Sequence, residues 1–206
     1  MYVRVVSIRA GGDGIDRVGA AFEQHVVPPA RTQPGYMGAA LVVYRQTGEA
    51  TGLTRWETLG ALNATEQSTL ETRRHLTANQ VEDILDVDRY EMVIEQATAE
   101  ARAPAYVRVN ELYVDPGRID ALVAFMRERV PSITSQPGCR ALLMGVNRMT
   151  GRCFVNTVWA TAEDRQASEA AVSGIRQEAG SLVGAEPAVS LGEVVFVEIR
   201  QPVKPG

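Results

Sequence analysis

Seven side chains in this sequence are of types that could hold or activate a small aromatic molecule: Trp56, Trp159, Asn110, Asn156, Tyr44, Tyr113 and His75. Each Trp closes a β-forming run. Its ring can pack a flat ligand and donate its N–H, or it can fill the gap beneath a helix. Asn is depleted in strands, and a buried amide needs partners, a ligand carbonyl being one. Tyr44 and Tyr113 could line a cleft and hydrogen-bond a phenol, or sit in strands as interfacial rings. His75 lies in Thr72-Arg73-Arg74-His75, which suits either an acid/base or ligand group or a solvated helix face. His25 stands near a helix end, where a cation suits the dipole. Arg4 and Arg108, at matching places in strands, read as ion-paired structural groups.

Other chemistries find no support. No Ser-His-Asp order or Gly-x-Gly-x-x-Gly fingerprint is present, and Gly11-Gly12-Asp13-Gly14 lacks the Lys and spacing of a phosphate loop. Two Cys and two His give no zinc-site spacing. On neighbouring strands of one hairpin, Cys139 would stand seven residues beyond the residue facing Cys153, roughly 20 Å away at 3.3 Å per residue. A disulfide needs Cα atoms within about 7 Å, so two reduced thiols are expected.

The elements that must position these residues come from a duplication. Tyr2-Val3-Arg4-Val5 returns as Tyr106-Val107-Arg108-Val109, and Ile15-Asp16 as Ile119-Asp120, both at a shift of 104. One residue is then lost, and the shift becomes 103. Phe22 matches Phe125, Gln33-Pro34-Gly35 matches Gln136-Pro137-Gly138, and Trp56 matches Trp159. Between them, Val43-x-Arg45-x-Thr47-Gly48 matches Val146-x-Arg148-x-Thr150-Gly151. One register held this long means an internal repeat.

Each copy reads β-α-β-β-α-β. A strand (2–8; 106–113) leads to a helix with apolar residues at helical spacing: Ile15, Val18, Phe22 and Val26, then Ile119, Leu122, Phe125 or Met126, and Val130. Pro28-Pro29 and Pro131 should end it. A hairpin follows (36–45 and 140–148, each paired to the strand ending in Trp), turning at Thr-Gly. Then come a second helix (58–84; 162–182) and a last strand (90–94; 194–199). The expected fold class is α+β: two fused ferredoxin-like repeats, residues 1–96 and 105–206, joined by linker 97–104. Both helices on one face of such a sheet leave the other face apolar and bare. The two antiparallel sheets should therefore pack together as an intrachain dimeric α+β barrel, with further homodimerisation open.

A content of 45% apolar and 22% charged residues indicates a globular chain rather than a disordered one. The formal net charge of −4, without a Lys/Arg cluster, argues against nucleic-acid and anionic-membrane partners. No run reaches membrane-spanning length and the N-terminal apolar stretch is short for a signal peptide, so a cytoplasmic location is expected.

Strand, helix, Gln-Pro-Gly turn, hairpin, strand ending in Val/Thr-x-Trp and second helix, twice over, resemble the antibiotic biosynthesis monooxygenase superfamily. The most specific pieces are Gln33-Pro34-Gly35 with Trp56, and Gln136-Pro137-Gly138 with Asn156-Thr157-Val158-Trp159. The resemblance implies a cofactor-independent oxygenase of a flat phenolic, anthrone or quinol-like substrate, with molecular oxygen as partner and neither metal nor flavin. Trp159, Asn156 and Asn110 would be catalytic, making the second copy the better equipped. Trp56, Tyr113, Tyr44 and His75 would bind substrate. Asn156 precedes Trp159 by three residues, so a regular strand points them to opposite faces, and the first copy has Leu53 at the Asn156 position.

Two alternatives accompany that reading. One is a non-catalytic small-molecule-binding barrel. The other is a haem protein with His75 as axial ligand, because the superfamily's haem degraders use a first-strand Asn and a second-helix Trp and His. Asn110 and His75 match those places in different copies, and the helix Trp place holds about Thr65 and Ser168.

Overall fold

The computed structural model describes residues 1–10, 14–79 and 81–200, the side chains of 75–79 lying outside that description. Two sequence expectations fall outside it, the turn at Gly11–Asp13 and the side chain of His75. The first repeat holds β1 (Tyr2–Arg9), α1 (Gly14–Ala21), a π turn (Phe22–Val26), α2 (Val27–Arg31), β2 (Tyr36–Tyr44), β3 (Glu49–Trp56), α3 (Leu59–Ala64), α4 (Glu66–Asn79) and β4 (Asp83–Ala97). The second holds β5 (Ala105–Tyr113), a 3₁₀ turn (Pro116–Arg118), α5 (Ile119–Thr134), β6 (Cys139–Val146), β7 (Arg152–Trp159), α6 (Ala162–Ala167), α7 (Glu169–Val183) and β8 (Ala188–Ile199).

The Gln-Pro-Gly motif has a local cause. Gly35 and Gly138 adopt φ of 78° and 73°, which only glycine visits without strain. A Cβ at Gly35 would lie 2.7 Å from Ala61, and one at Gly138 2.2 Å from Asp164. The turn thus presses onto the start of the second helical stretch. That stretch opens on an N-cap Thr: Thr58 and Thr161 accept from the N–H of Ala61 and Asp164, each at 3.0 Å.

Three boundaries differ from the sequence expectation. The prolines do not end the first helix. Pro28 and Pro29 start α2, where a missing N–H costs little, and Pro131 sits within α5. The helix expected over 58–84 stops at Asn79, because 83–97 alternate along a long strand. Between α1 and α2, the π turn falls where the first copy has one residue more and the shift drops to 103, ahead of Val27-Pro28 and its match Val130-Pro131. Up to it the helices keep the shift of 104, so Phe22 takes the helical place of Met126 rather than Phe125. A π turn closes i→i+5 rather than i→i+4, so it houses that extra residue.

In hydrogen-bonded order the strands run β1-β3-β2-β8-β5-β7-β6-β4 and close into a barrel. The chain is thus a pair of ferredoxin-like repeats forming a dimeric α+β barrel within one polypeptide. Its compact units are not the two repeats as they run in sequence. One unit is Met1–Arg89 with the segment from Glu193, and the other is Tyr90–Gly192. In the first, β3 pairs with β1 (Tyr2↔Trp56) and β2, and β2 takes the end of β8 (Ala40↔Val197). In the second, β7 pairs with β5 (Tyr106↔Trp159) and β6, and β6 takes the end of β4 (Glu91↔Val146). Each repeat's last strand therefore completes the other repeat's sheet.

Each unit has its own apolar core between sheet and helices. Val27, Leu41, Ala50 and Leu62 anchor the first; Ile119, Leu122, Leu142 and Met144 anchor the second. Fully burying one such Leu or Ile is worth about 1.5–3 kcal/mol. Cys153 faces Val146 as its spacing implies, and both thiols are free.

Candidate functional site: a guanidinium-edged cleft in each unit

In each unit the helices leave a cleft against the sheet. The first unit's cleft is lined by Arg4, Val6 and Ile8 of β1, Gly52 and Thr54 of β3, Phe22 and Val26 of the π turn, and Thr69, Thr72 and Arg73 of α4. With its open mouth and the solvent there included, the space between these walls is about 600 Å³. A side recess continues from it past Trp56, Thr65 and Ser68. The second unit's cleft is smaller, about 470 Å³, and is lined by Arg108, Asn110, Val155, Thr157, Val172, Ile175 and Arg176 among others.

The polar edge is built the same way twice. Arg4 is 1% exposed. Its guanidinium donates to Thr65 Oγ1 (2.9 Å), Thr69 Oγ1 (2.7 Å), the Leu62 carbonyl (2.9 Å) and Glu66 (3.0 Å). Arg73 and Arg89 also bind Glu66, at 3.2 and 2.7 Å. In the second unit Arg108 donates to Ser168 Oγ (3.0 Å) and pairs with Glu169 (3.0 Å), which Arg176 also holds. In both arginines the Nε–H is buried without a hydrogen-bond partner, a costly state in a closed protein.

Burial presses both Arg4 and Arg108 down from the ordinary arginine value, with Glu66 and Glu169 opposing. Burial would also raise the Glu66 carboxyl, but its bonds and charge from Arg73, Arg4 and Arg89 outweigh that and hold it below the usual range. Glu169 is lowered chiefly by its bond from Arg176. Each cleft is therefore apolar with a fixed cationic rim.

The sequence candidates are dispersed over this frame. Trp56 and Trp159 are buried, and each Nε1–H donates to a Thr two residues earlier, Thr54 or Thr157, at 3.0 Å. Those hydroxyls face the clefts. Because each accepts from a Trp, its own proton points elsewhere. Trp56 also packs edge-on to Tyr36, and Arg108 lies 5.9 Å from the Trp159 ring centroid. Asn110 lines the second cleft, but its amide donates to the Val155 carbonyl at 2.9 Å. Asn156 lies on the other face of β7 from Thr157 and Trp159, with a buried Oδ1 that lacks a partner.

The remaining candidates stand apart. Tyr113 is 69% exposed under Arg152, Tyr44 is half-buried at the end of β2, and neither is among the cleft-lining residues described. His75 falls on α4. Trp159, Asn156 and Asn110 therefore do not share one cleft.

Sequence reading passed over Glu66, Arg73, Thr54 and their counterparts Glu169, Arg176 and Thr157. The signal was present, since all three pairs obey the shift of 103. Arg4 and Arg108 are ion-paired as expected, but each also borders a cleft.

Residues 105–177 match the family model of the antibiotic biosynthesis monooxygenases. Over those residues the chain is similar to that family. An uncharacterized protein of Mycobacterium tuberculosis is 32% identical to it over 90 residues, 43% of this chain and 40% of that protein. The chain thus spans about two fifths of that relative's length. Among solved structures, it resembles a monooxygenase candidate from Fusobacterium nucleatum (TM-score 0.75, 13% identity, 98% of this chain and 95% of that one). It also resembles an anthrone oxidase-like protein (TM-score 0.73, 14% identity, 96% and 93%). At such identities the likeness is one of fold. No described helix is long and apolar enough to cross a membrane.

Proposed function

We propose that the protein is a cofactor-independent monooxygenase acting on a flat phenolic, anthrone or quinol-like molecule. The observation that carries this reading is a buried guanidinium with an unspent Nε–H at the edge of an apolar cleft. Such a cleft takes an aromatic body, excludes water from it, and stabilises a phenolate or enolate in low dielectric. No Asp, Glu, His, Cys or Tyr is among the described lining residues of either cleft, so ionisation is favoured by the cationic rim rather than by a side-chain base.

The substrate anion then passes one electron to oxygen. The carbon radical and superoxide combine into a C–O bond. Proton uptake gives a hydroperoxide, which loses water to leave a carbonyl. One oxygen atom enters the product and the other leaves as water, so no external reductant is needed. The Trp residues act at one remove, by turning the Thr54 and Thr157 hydroxyl protons away from themselves.

The absence of a base among the described lining residues, with both indole N–H groups spent, also favours a second reading, a barrel that binds such molecules without turnover. Oxygen uptake by metal-stripped protein with hydroxyanthrones and quinols separates the two. Uptake whose rate rises with pH along the substrate's own ionisation is expected. A folded protein with no uptake across the panel would leave the binding barrel.

A further inference from the structure

The two clefts have rims built alike but different interiors. The second has Asn110 where the first has Val6, its amide spent on the Val155 carbonyl, and the other differences favour the first. At the shift of 103, Thr69 and Thr72 on α4 become Val172 and Ile175 on α7, and Gly52 becomes Val155. In the first unit Phe22, 6% exposed, follows the regular turns of α1 and lies over Gly52, where an added Cβ would come within 2.9 Å of the ring. In the second unit Met126 takes that helical place and lines the cleft, while Phe125 stacks with Arg129 at 4.7 Å. Branched aliphatic side chains narrow the second cleft, whereas the first keeps more room. The rims differ too. Three guanidiniums, Arg4, Arg73 and Arg89, meet one carboxylate in the first unit. Two of those places recur in the second, as Arg108 and Arg176 on Glu169.

From this asymmetry we infer that the chain binds one ligand, in the first unit's cleft, and that it is an aromatic monoanion. Its charge faces Arg4 Nε and Arg73, and its body lies along Val6, Val18 and Phe22. The second cleft serves as structure. The inference rests on reading the clefts as ligand sites, but it does not require turnover. The buried guanidinium of Arg4 favours an anion, and the apolar walls favour a flat hydrocarbon body over water. The buried, unpartnered Arg4 Nε–H is the donor such a ligand would satisfy.

The probe is 2-naphthoate, with 2-naphthamide as its neutral isostere, titrated calorimetrically into the full chain at neutral pH. One naphthoate per chain is expected, bound at least about tenfold more tightly than the amide, the margin of a single charge-assisted contact. Thr69→Val with Thr72→Ile copies the second unit's interior and should weaken naphthoate binding about tenfold or more. Arg73→Gln should weaken naphthoate by a similar factor and leave the amide unchanged, which keeps the test alive should the double variant not fold. Val155→Leu in the second unit should change neither. Two sites per chain, equal affinity for the amide, unaltered binding in folded variants of the first cleft, or no naphthoate binding to folded protein would each overturn the inference. Naphthoate binding without oxygen uptake from hydroxyanthrones would leave it standing and remove the oxygenase reading; uptake with two sites per chain would do the reverse.

Discussion

Arg4 joins folding to function at the scale of one residue. Replacing it by Met removes the donor to the Thr65 and Thr69 hydroxyls, while the Leu62 carbonyl keeps the Thr65 hydroxyl at 2.8 Å. Because Glu66 keeps Arg73 and Arg89, the expected loss is about 2 kcal/mol, typical of buried groups left unpaired rather than of a stranded charge. Chemical denaturation measures it, and a change under 0.5 kcal/mol would mean the network contributes little. Glu66 and Glu169 also carry a pH signature. Their folded values lie below the unfolded one, so their contribution is complete above the ordinary carboxylate range and is lost as pH falls through it. Melting temperatures between pH 6 and 3 should fall less steeply in Glu66→Gln than in the parent. Burial raises both cysteine thiols to about 11, so the native protein should resist a thiol reagent at pH 8 and react at both sites once unfolded.

At the scale of the element, a one-residue difference is absorbed without disturbing the face a helix presents. The extra residue in the first copy is legible in the alignment of repeats as the step from 104 to 103, but its place is not. Only the folded helix shows that it becomes a π turn beginning at Phe22, so that Val18 and Phe22 line one cleft as Leu122 and Met126 line the other. The prolines misled for a related reason. A proline forbids the bond it cannot donate, and at the start of α2 no such bond is required. The Gln-Pro-Gly turns behaved as their composition implies. Gly138→Ala must accept a positive φ and a clash with Asp164, so a loss of about 1 kcal/mol or more is expected, read as a fall in melting temperature. An unchanged melt would show that the turn relaxes freely.

At the scale of the whole molecule, the exchange of β4 and β8 makes each repeat depend on the other. Residues 1–104 or 105–206 expressed alone lack the strand that completes their sheet, leaving an open edge beside β2 or β6. Each half is expected to self-associate, its own last strand taking the vacant place in a second copy, and size-exclusion chromatography would show a dimer. A monomeric half with a cooperative melt would show that the exchanged strand is dispensable.

The sequence by itself determined the duplication, the α+β class, the order of elements and the reduced thiols, because these follow from local pattern and from register along one chain. It also held the arginine, glutamate and threonine pairs of the rim at a constant shift, although their types alone read as ordinary surface charge. Tertiary structure decided which residues share a cleft. Asn156 and Trp159 part company on β7 as their spacing implies, but that Trp159 spends its N–H on Thr157 at the second cleft is a matter of packing. Arg4 and Glu66 meet although they stand 62 positions apart, because α4 packs over β1. Strand pairing is likewise a nonlocal choice. Both β4 and β8 satisfy the same alternation with either repeat, and only the packed sheets select the partner.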